Sequence, residues 1–161
     1  MSKLQNMRVI EIQKFRAVSS GLKTFDELFS EDGFDSYMTN NPHLVQPQVC
    51  DTPDLLWHEG DKNVWIYAIR DTVTAEDTAP YEVIEFPGGM YLVATADEND
   101  EDDLNETVDG MMQWIEKSDV FVYGDFPKSG MCNMPNGNGT IDQALGIAQQ
   151  QIFLPLAFRQ K

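Results

Sequence analysis

Apolar residues change their spacing several times along this chain, and each change marks an element. Residues 8–20 carry Val9, Ile10, Ile12, Phe15 and Val18 and predict a strand that ends at Gly21. Thr24-Phe25-Asp26-Glu27 then fits a capping box, in which the Thr hydroxyl accepts from the third backbone N–H and the Glu carboxylate reaches back. Phe25, Leu28 and Phe29 follow at helical spacing, as do Phe34, Tyr37 and Met38 after Gly33, until Asn40-Asn41-Pro42 stops the helix. Residues 43–62 read as irregular, with Asp51-Thr52-Pro53-Asp54 as a turn and Leu55-Leu56-Trp57 as a weak strand. NVWIYAIR (residues 63–70) is the clearest strand of the first half.

The second half runs a similar course. Residues 81–95 predict two strands around Pro87-Gly88-Gly89. DENDEDD (residues 97–103) reads as a charged loop and helix start, because carboxylates favour the positive end of a helix dipole. Leu104, Val108, Met111, Met112 and Ile115 form the most regular helical stripe in the chain, with Trp114 on its flank. Val120–Tyr123 is a strand, residues 127–140 are a long Gly/Pro/Asn-rich loop, and QIFLPLAF (residues 151–158) is a final strand. Pro155 lacks an N–H and is expected at an edge or bulge.

Both VIEIQKFRAVSSG, from Val9, and VIEFPGGMYLVAT, from Val83, open with Val-Ile-Glu and precede an amphipathic helix. The pattern predicts an internal duplication of a β-α-β-β module, and two similar halves facing each other would share a cleft. The expected architecture is one α+β domain over residues 1–161, with half-modules at about 1–75 and 80–161. Its antiparallel sheet would carry two helices on one face.

The strands are apolar on both sides. In NVWIYAIR, Val64, Ile66 and Ala68 lie on one face and Trp65, Tyr67 and Ile69 on the other. A sheet with helices on one side and water on the other should alternate apolar with polar. The aliphatic face is expected to meet the helices. The aromatic face then needs another cover: ordinary loop packing, a partner or a ligand. Ring faces attract cations by about 0.5–2 kcal/mol each, and Glu59, Glu82, Glu85 and Asp125 are the acids closest in sequence to the aromatics.

Composition narrows the choice. Lys and Arg number 11 against 27 Asp and Glu, a formal net charge of −16. Such a chain repels phosphate backbones, which argues against direct nucleic-acid binding. No apolar run reaches the length of a membrane span, and the N-terminus lacks the apolar core of a signal peptide. Two cysteines, Cys50 and Cys132, suit a reduced cytoplasmic protein. His43 and His58 sit in no ligand-spaced cluster, so no metal site, cofactor or catalytic constellation is expected.

Three segments resemble the GyrI-like, or AraC-type effector-binding, domain family. VIEFPGGMYLVAT is similar to its strand–turn–strand element. The helix ending in Met112-Gln113-Trp114-Ile115-Glu116-Lys117-Ser118 is similar to its helix ending in Trp and a small residue. Gln151-Ile152-Phe153-Leu154-Pro155-Leu156 is similar to its terminal strand. The resemblance implies a pseudo-twofold pair of β-α-β-β modules with a central cleft for hydrophobic, often cationic compounds. It also implies relatives that inhibit DNA gyrase and others that hydrolyse cyclopropane-containing natural products. One departure matters: the family carries a cleft carboxylate where this chain has Gln151. Gln can hydrogen-bond a guest but cannot neutralise a cation or act as a general base.

The leading expectation is therefore a stand-alone protein that senses or sequesters a hydrophobic, aromatic and in some cases cationic small molecule. Trp57, Trp65, Tyr67, Tyr91, Trp114 and Tyr123 are the expected walls and Gln151 a polar contact. The alternative is an acidic module that engages a basic protein partner, with binding that salt would weaken. A small hydrolase of the same family ranks third, because Gln151 replaces the acid.

Overall fold

The computed structural model describes residues 6–49, 53–135 and 139–161. Cys50 and the first half of the turn expected at residues 51–54 lie outside them. Among the described residues, nine strands and four α-helices make an antiparallel α+β fold: β1 (Arg8–Ile12), β2 (Phe15–Ser19), α1 (Phe25–Leu28), α2 (Phe34–Asn40), β3 (Asp54–Glu59), β4 (Lys62–Ala68), β5 (Glu82–Phe86), β6 (Gly89–Asp97), α3 (Glu101–Lys117), β7 (Phe121–Tyr123), β8 (Met131–Asn133), α4 (Gly139–Leu145) and β9 (Gln149–Phe158). A 3-10 turn, Pro42–Leu44, follows α2.

The chain divides into two compact units. Unit 1 holds Gly89–Lys161 and the N-terminal stretch up to Ile12; unit 2 holds Gln13–Val49 and Pro53–Gly88. The segment expected as a single strand over residues 8–20 is thus two strands, broken at Gln13-Lys14, and the chain passes from one unit to the other at that break.

In unit 1 the strand order is β1-β6-β9-β8, with β7 also pairing β9. Helix α3 covers one face, where Leu92, Ala94 and Ala96 of β6 and Ile152, Leu154 and Leu156 of β9 pack on Met111 and Ile115. The acidic run starts this helix as expected. Asp100 is the N-cap and accepts from the Asp103 backbone N–H at 3.0 Å. Asp103 itself is buried and accepts from the Asp97 backbone N–H at 2.9 Å.

Pro155 corrects one expectation. It lies inside β9, opposite Tyr91, in a strand with partners on both sides. On that second side β8 pairs up to Phe153 and β7 begins at Leu156. The proline sits between the two partners, where a missing donor breaks no ladder. The loop expected over residues 127–140 likewise contains β8.

In unit 2 the order is β3-β4-β2-β5. Helices α1 and α2 cover one face. Thr24 caps α1 with both halves of the capping box present: Glu27 N–H donates to Thr24 Oγ1 at 3.2 Å, and Thr24 N–H to Glu27 Oε2 at 2.7 Å. The covered face carries Trp65, Tyr67 and Ile69, not the aliphatic set. Val64, Ile66 and Ala68 point the other way and are also buried. The expected assignment of faces is therefore reversed. Leu28, Phe34 and Met38 of the two short helices supply wide side chains, and flat aromatic rings fill the gap beneath such short helices better than aliphatics do.

Candidate functional site

The chemistry of unit 2 gathers around one carboxylate. Asp54, placed in a turn by the sequence, opens β3 opposite Tyr67 on β4 and faces the helices. It is 9 % exposed. Its Oδ2 accepts from Trp65 Nε1–H at 2.9 Å, and its Oδ1 has no hydrogen-bond partner. No Lys, Arg or His among the described residues lies within ion-pair distance of it. Burial pushes the Asp54 carboxyl up from 3.8 to about 7, because the lost hydration outweighs the Trp65 N–H that favours the charged form.

Aromatic rings continue outward from this carboxylate. Trp65 lies 5.5 Å from Tyr67 and 5.8 Å from Phe34, and Phe34 meets Tyr81 edge-on at 4.9 Å. On the other side Phe29 lies on Trp65 at 5.4 Å and is half exposed. Phe29, just after α1, and Phe34, at the start of α2, together cover Trp65. Burial, then the charges of Asp54 and Asp35, pushes the Tyr67 phenol up, so it stays neutral at all physiological pH.

The supports are local. Trp65 is held by its backbone as well as its indole: its N–H donates to Ser20 Oγ and its carbonyl accepts from Ser20 N–H, both at 2.9 Å. Tyr81 follows a loop closed by Asp77, whose Oδ2 accepts from Thr74 N–H at 2.7 Å and Thr74 Oγ1–H at 2.9 Å. Phe34 is set by Gly33. A Cβ there would lie 2.5 Å from the Glu27 carbonyl oxygen and 2.6 Å from that of Leu28. Gly33→Ala is therefore expected to push α2 off the sheet and lower stability by about 2 kcal/mol. Urea unfolding measures this; an unchanged midpoint would mean that α1 shifts freely and does not fix Phe34.

The seven residues expected to line a ligand do not gather in one place. Trp65 and Tyr67 belong to the Asp54 cluster. Trp57 is on the opposite face of unit 2 beside Phe86, with its Nε1–H donated to Glu59 at 3.0 Å. Trp114 and Tyr123 pack against the α3-covered core of unit 1, Trp114 stacked on Phe121 at 6.2 Å. Tyr91 and Gln151 lie on the face of unit 1 that α3 does not cover. Among the acids considered, Glu59, Glu82, Glu85 and Asp125 are all exposed, and Glu85 approaches Lys14 at 4.0 Å. Asp54 was missed because Pro53 before it reads as a turn. The signal that could have found it is its position: counting by twos from Leu56 puts it on the same face as the residues paired with Trp65 and Tyr67.

By sequence the chain matches no family model and no curated protein. By structure its fold is similar to that of solved proteins. The crystal structure of the EcmrR C-terminal domain superposes with a TM-score of 0.64 at 16 % identity, covering 95 % of this chain and 98 % of that one. The fold is shared. In the cryo-EM structure of the EcmrR–DNA complex the TM-score is 0.63 at 14 % identity over 94 % of this chain, which spans 57 % of that protein. SAV2435, solved bound to tetraphenylphosphonium, superposes with a TM-score of 0.57 at 12 % identity, covering 94 % of each chain. Among the described residues no helix is long and apolar enough to cross a membrane, and no three His, Cys, Asp or Glu residues group as a metal site would require.

Proposed function

We propose that this chain is a small-molecule-binding protein whose preferred guests are hydrophobic aromatic cations, received at Asp54 in unit 2. The observation that carries the reading is the bare Oδ1 of a buried carboxylate enclosed by aromatic rings. An isolated buried charge is costly unless paired. A guest that brings a delocalised positive charge and apolar surface would satisfy the carboxylate and the rings together. Such a cation is cheap to desolvate, unlike an ammonium or a metal ion.

Two further lines support this reading. SAV2435, which has the same fold, was solved with a cation of this class. The topology also supports duplication and the GyrI-like kinship: β5-β2-β4-β3 in unit 2 runs parallel to β1-β6-β9-β8 in unit 1, so the two Val-Ile-Glu segments occupy matching edge strands.

The test is calorimetric titration of the full chain with tetraphenylphosphonium, against neutral triphenylphosphine oxide. The cation is expected to bind at least about tenfold more tightly, and Asp54→Asn to remove that preference. Raising salt from 0.1 to 0.5 M should weaken binding less than about threefold, since a buried pair is poorly screened. Equal affinity for the two compounds, or steep loss in salt, would move the charge recognition to the acidic surface and overturn the proposal.

A further inference from the structure

Unit 2 carries an apolar patch that its fold leaves half open. Leu22, Phe25 and Phe29, on and beside α1, are 51 %, 56 % and 49 % exposed. Phe25 and Phe29 are one helical turn apart, so their rings lie on one side of α1 with centroids 4.9 Å apart. Of the apolar residues in this helix only Leu28 enters the core. Phe29 packs on Trp65, whereas Phe29 is the one ring that Phe25 meets among the described residues. The Thr24–Glu27 box closes the turn without help from Phe25. Half of three large apolar side chains amounts to on the order of 300 Å², a size that on a single molecule is often functional.

The rim of this patch is acidic. Asp26 follows Phe25 on the helix. Glu31 and Asp32 form the tip of a tight turn. Gly33 N–H donates to the Ser30 carbonyl at 2.9 Å, and Ser30 Oγ–H donates to the Glu27 carbonyl at 3.1 Å, which pins the turn to the end of α1. Asp26, Glu31 and Asp32 are all exposed, and none has an ion-pair partner among the described residues. Lys23 and Lys62 favour the carboxylate of Glu27, which the cap already holds. The charge of the rim selects the occupant. A second copy would set these acids against each other, and nucleic acid or an anionic membrane would be repelled in the same way. A basic segment would neutralise the rim while its apolar side covers the rings.

We propose that α1 and the turn after it dock a basic amphipathic helix of a partner protein. Apolar side chains spaced i, i+3 or i+4 and i+7 on that helix lie over Leu22, Phe25 and Phe29, and its Arg or Lys side chains reach Asp26 and the Glu31-Asp32 turn. Arg suits the positions above the open ring faces, because its flat guanidinium stacks on them. The contact is small, which makes the complex a transient one. It does not depend on a guest at Asp54.

The probe is a synthetic helix of about 18 residues, long enough to form in water, with Leu at helical spacing and Arg and Ala elsewhere. Its control has the same composition in an order that breaks the spacing. Both are titrated calorimetrically into the full chain at 0.15 M salt, where exposed charges are screened beyond about 8 Å. The amphipathic peptide is expected to bind at least tenfold more tightly than the scrambled one. Leu22→Ser with Phe25→Ser should erase that difference, and with both side chains more than half exposed the fold is expected to survive. Glu31→Lys with Asp32→Lys should weaken the amphipathic peptide at least fivefold. Asp109→Lys with Glu116→Lys, the same charge change on the exposed side of α3, should weaken it less than twofold. Asp54→Asn should leave it unchanged, so this surface and the guest site in unit 2 can fail separately. Equal affinity for the two peptides, no binding at 1 mM, or equal loss in the two Lys pairs would each overturn the proposal. So would a wild-type dimer in sedimentation, or binding to phosphatidylcholine vesicles, that Leu22→Ser with Phe25→Ser abolishes. The patch would then belong to a second copy or to a lipid surface.

Discussion

Asp54→Asn is expected to make the protein more stable, by about 4 kcal/mol at pH 8. The wild-type carboxyl ionises at about 7 in the folded protein against an ordinary 3.8, because it is buried with one oxygen bare. Each tenfold change in proton affinity is worth about 1.4 kcal/mol. The sign follows from linkage. A folded-state pKa above the unfolded one means that the folded state holds the proton more tightly. The stabilising contribution is then complete below about pH 3.8 and is lost as pH rises towards 7. Asparagine is isosteric, keeps an oxygen for Trp65 Nε1–H, and has no charge to bury. The advantage of the variant should therefore be largest above pH 7 and shrink to about half a kcal/mol at pH 4. In melting temperature the pH 8 difference is on the order of 10 °C for a domain of this size. Thermal unfolding of both proteins between pH 4 and 8 measures it. A difference that does not vary with pH would mean that Asp54 titrates normally, and the carboxylate would lose its claim to be a binding group. A group that weakens the fold and is still aimed into an aromatic cluster is what a ligand-binding protein would be expected to carry.

The second large effect is the pH dependence of cation binding. Only ionised Asp54 attracts the guest, so the apparent affinity scales with the ionised fraction. With a carboxyl at about 7 that fraction rises from roughly 1 % at pH 5 to roughly 90 % at pH 8. Tetraphenylphosphonium affinity is expected to climb by nearly two orders of magnitude over that range and to level off above it. Below pH 7 close to one proton should leave the protein for each cation bound. Calorimetry in two buffers of different ionisation enthalpy counts that proton directly. Binding that is flat from pH 5 to 8 with no proton released would show that the cation never meets Asp54. Asp54→Asn should bind weakly and equally at every pH.

Much of the scaffold was legible because it is written in local spacing. The Thr24–Glu27 box and the Leu104–Ile115 stripe specify α1 and α3 through contacts within a few residues. What failed depends on distant partners. β4 is apolar on both faces, so alternation alone cannot say which side the helices take; the wide aromatic side went to them because α1 and α2 are short. Asp54 was hidden for the same reason. Its burial is imposed by Trp65 and Tyr67, which reach it only through the β3–β4 pairing. Gln151 looked like the decisive substitution, but its meaning changes once Arg8, far away in sequence, is seen to reach it.

The passage of the chain between units at Ile12 and Gly88 sets an order on synthesis. Every strand of unit 2 has been made once Phe86 is out, and its β2–β4, β2–β5 and β3–β4 pairings lie within Gln13–Gly88. β1 has no such luck: Arg8 must wait for Val93 and Ile12 for Gly89. At about 5–20 residues per second the ribosome leaves this apolar edge unpaired for several seconds while its neighbour folds. β1 is thus made before the strands of unit 2 yet docks after them. A ribosome-stalled chain long enough for Gly88 to have left the exit tunnel, but not β6, should hold a protected unit 2 and a β1 segment that proteases still cut.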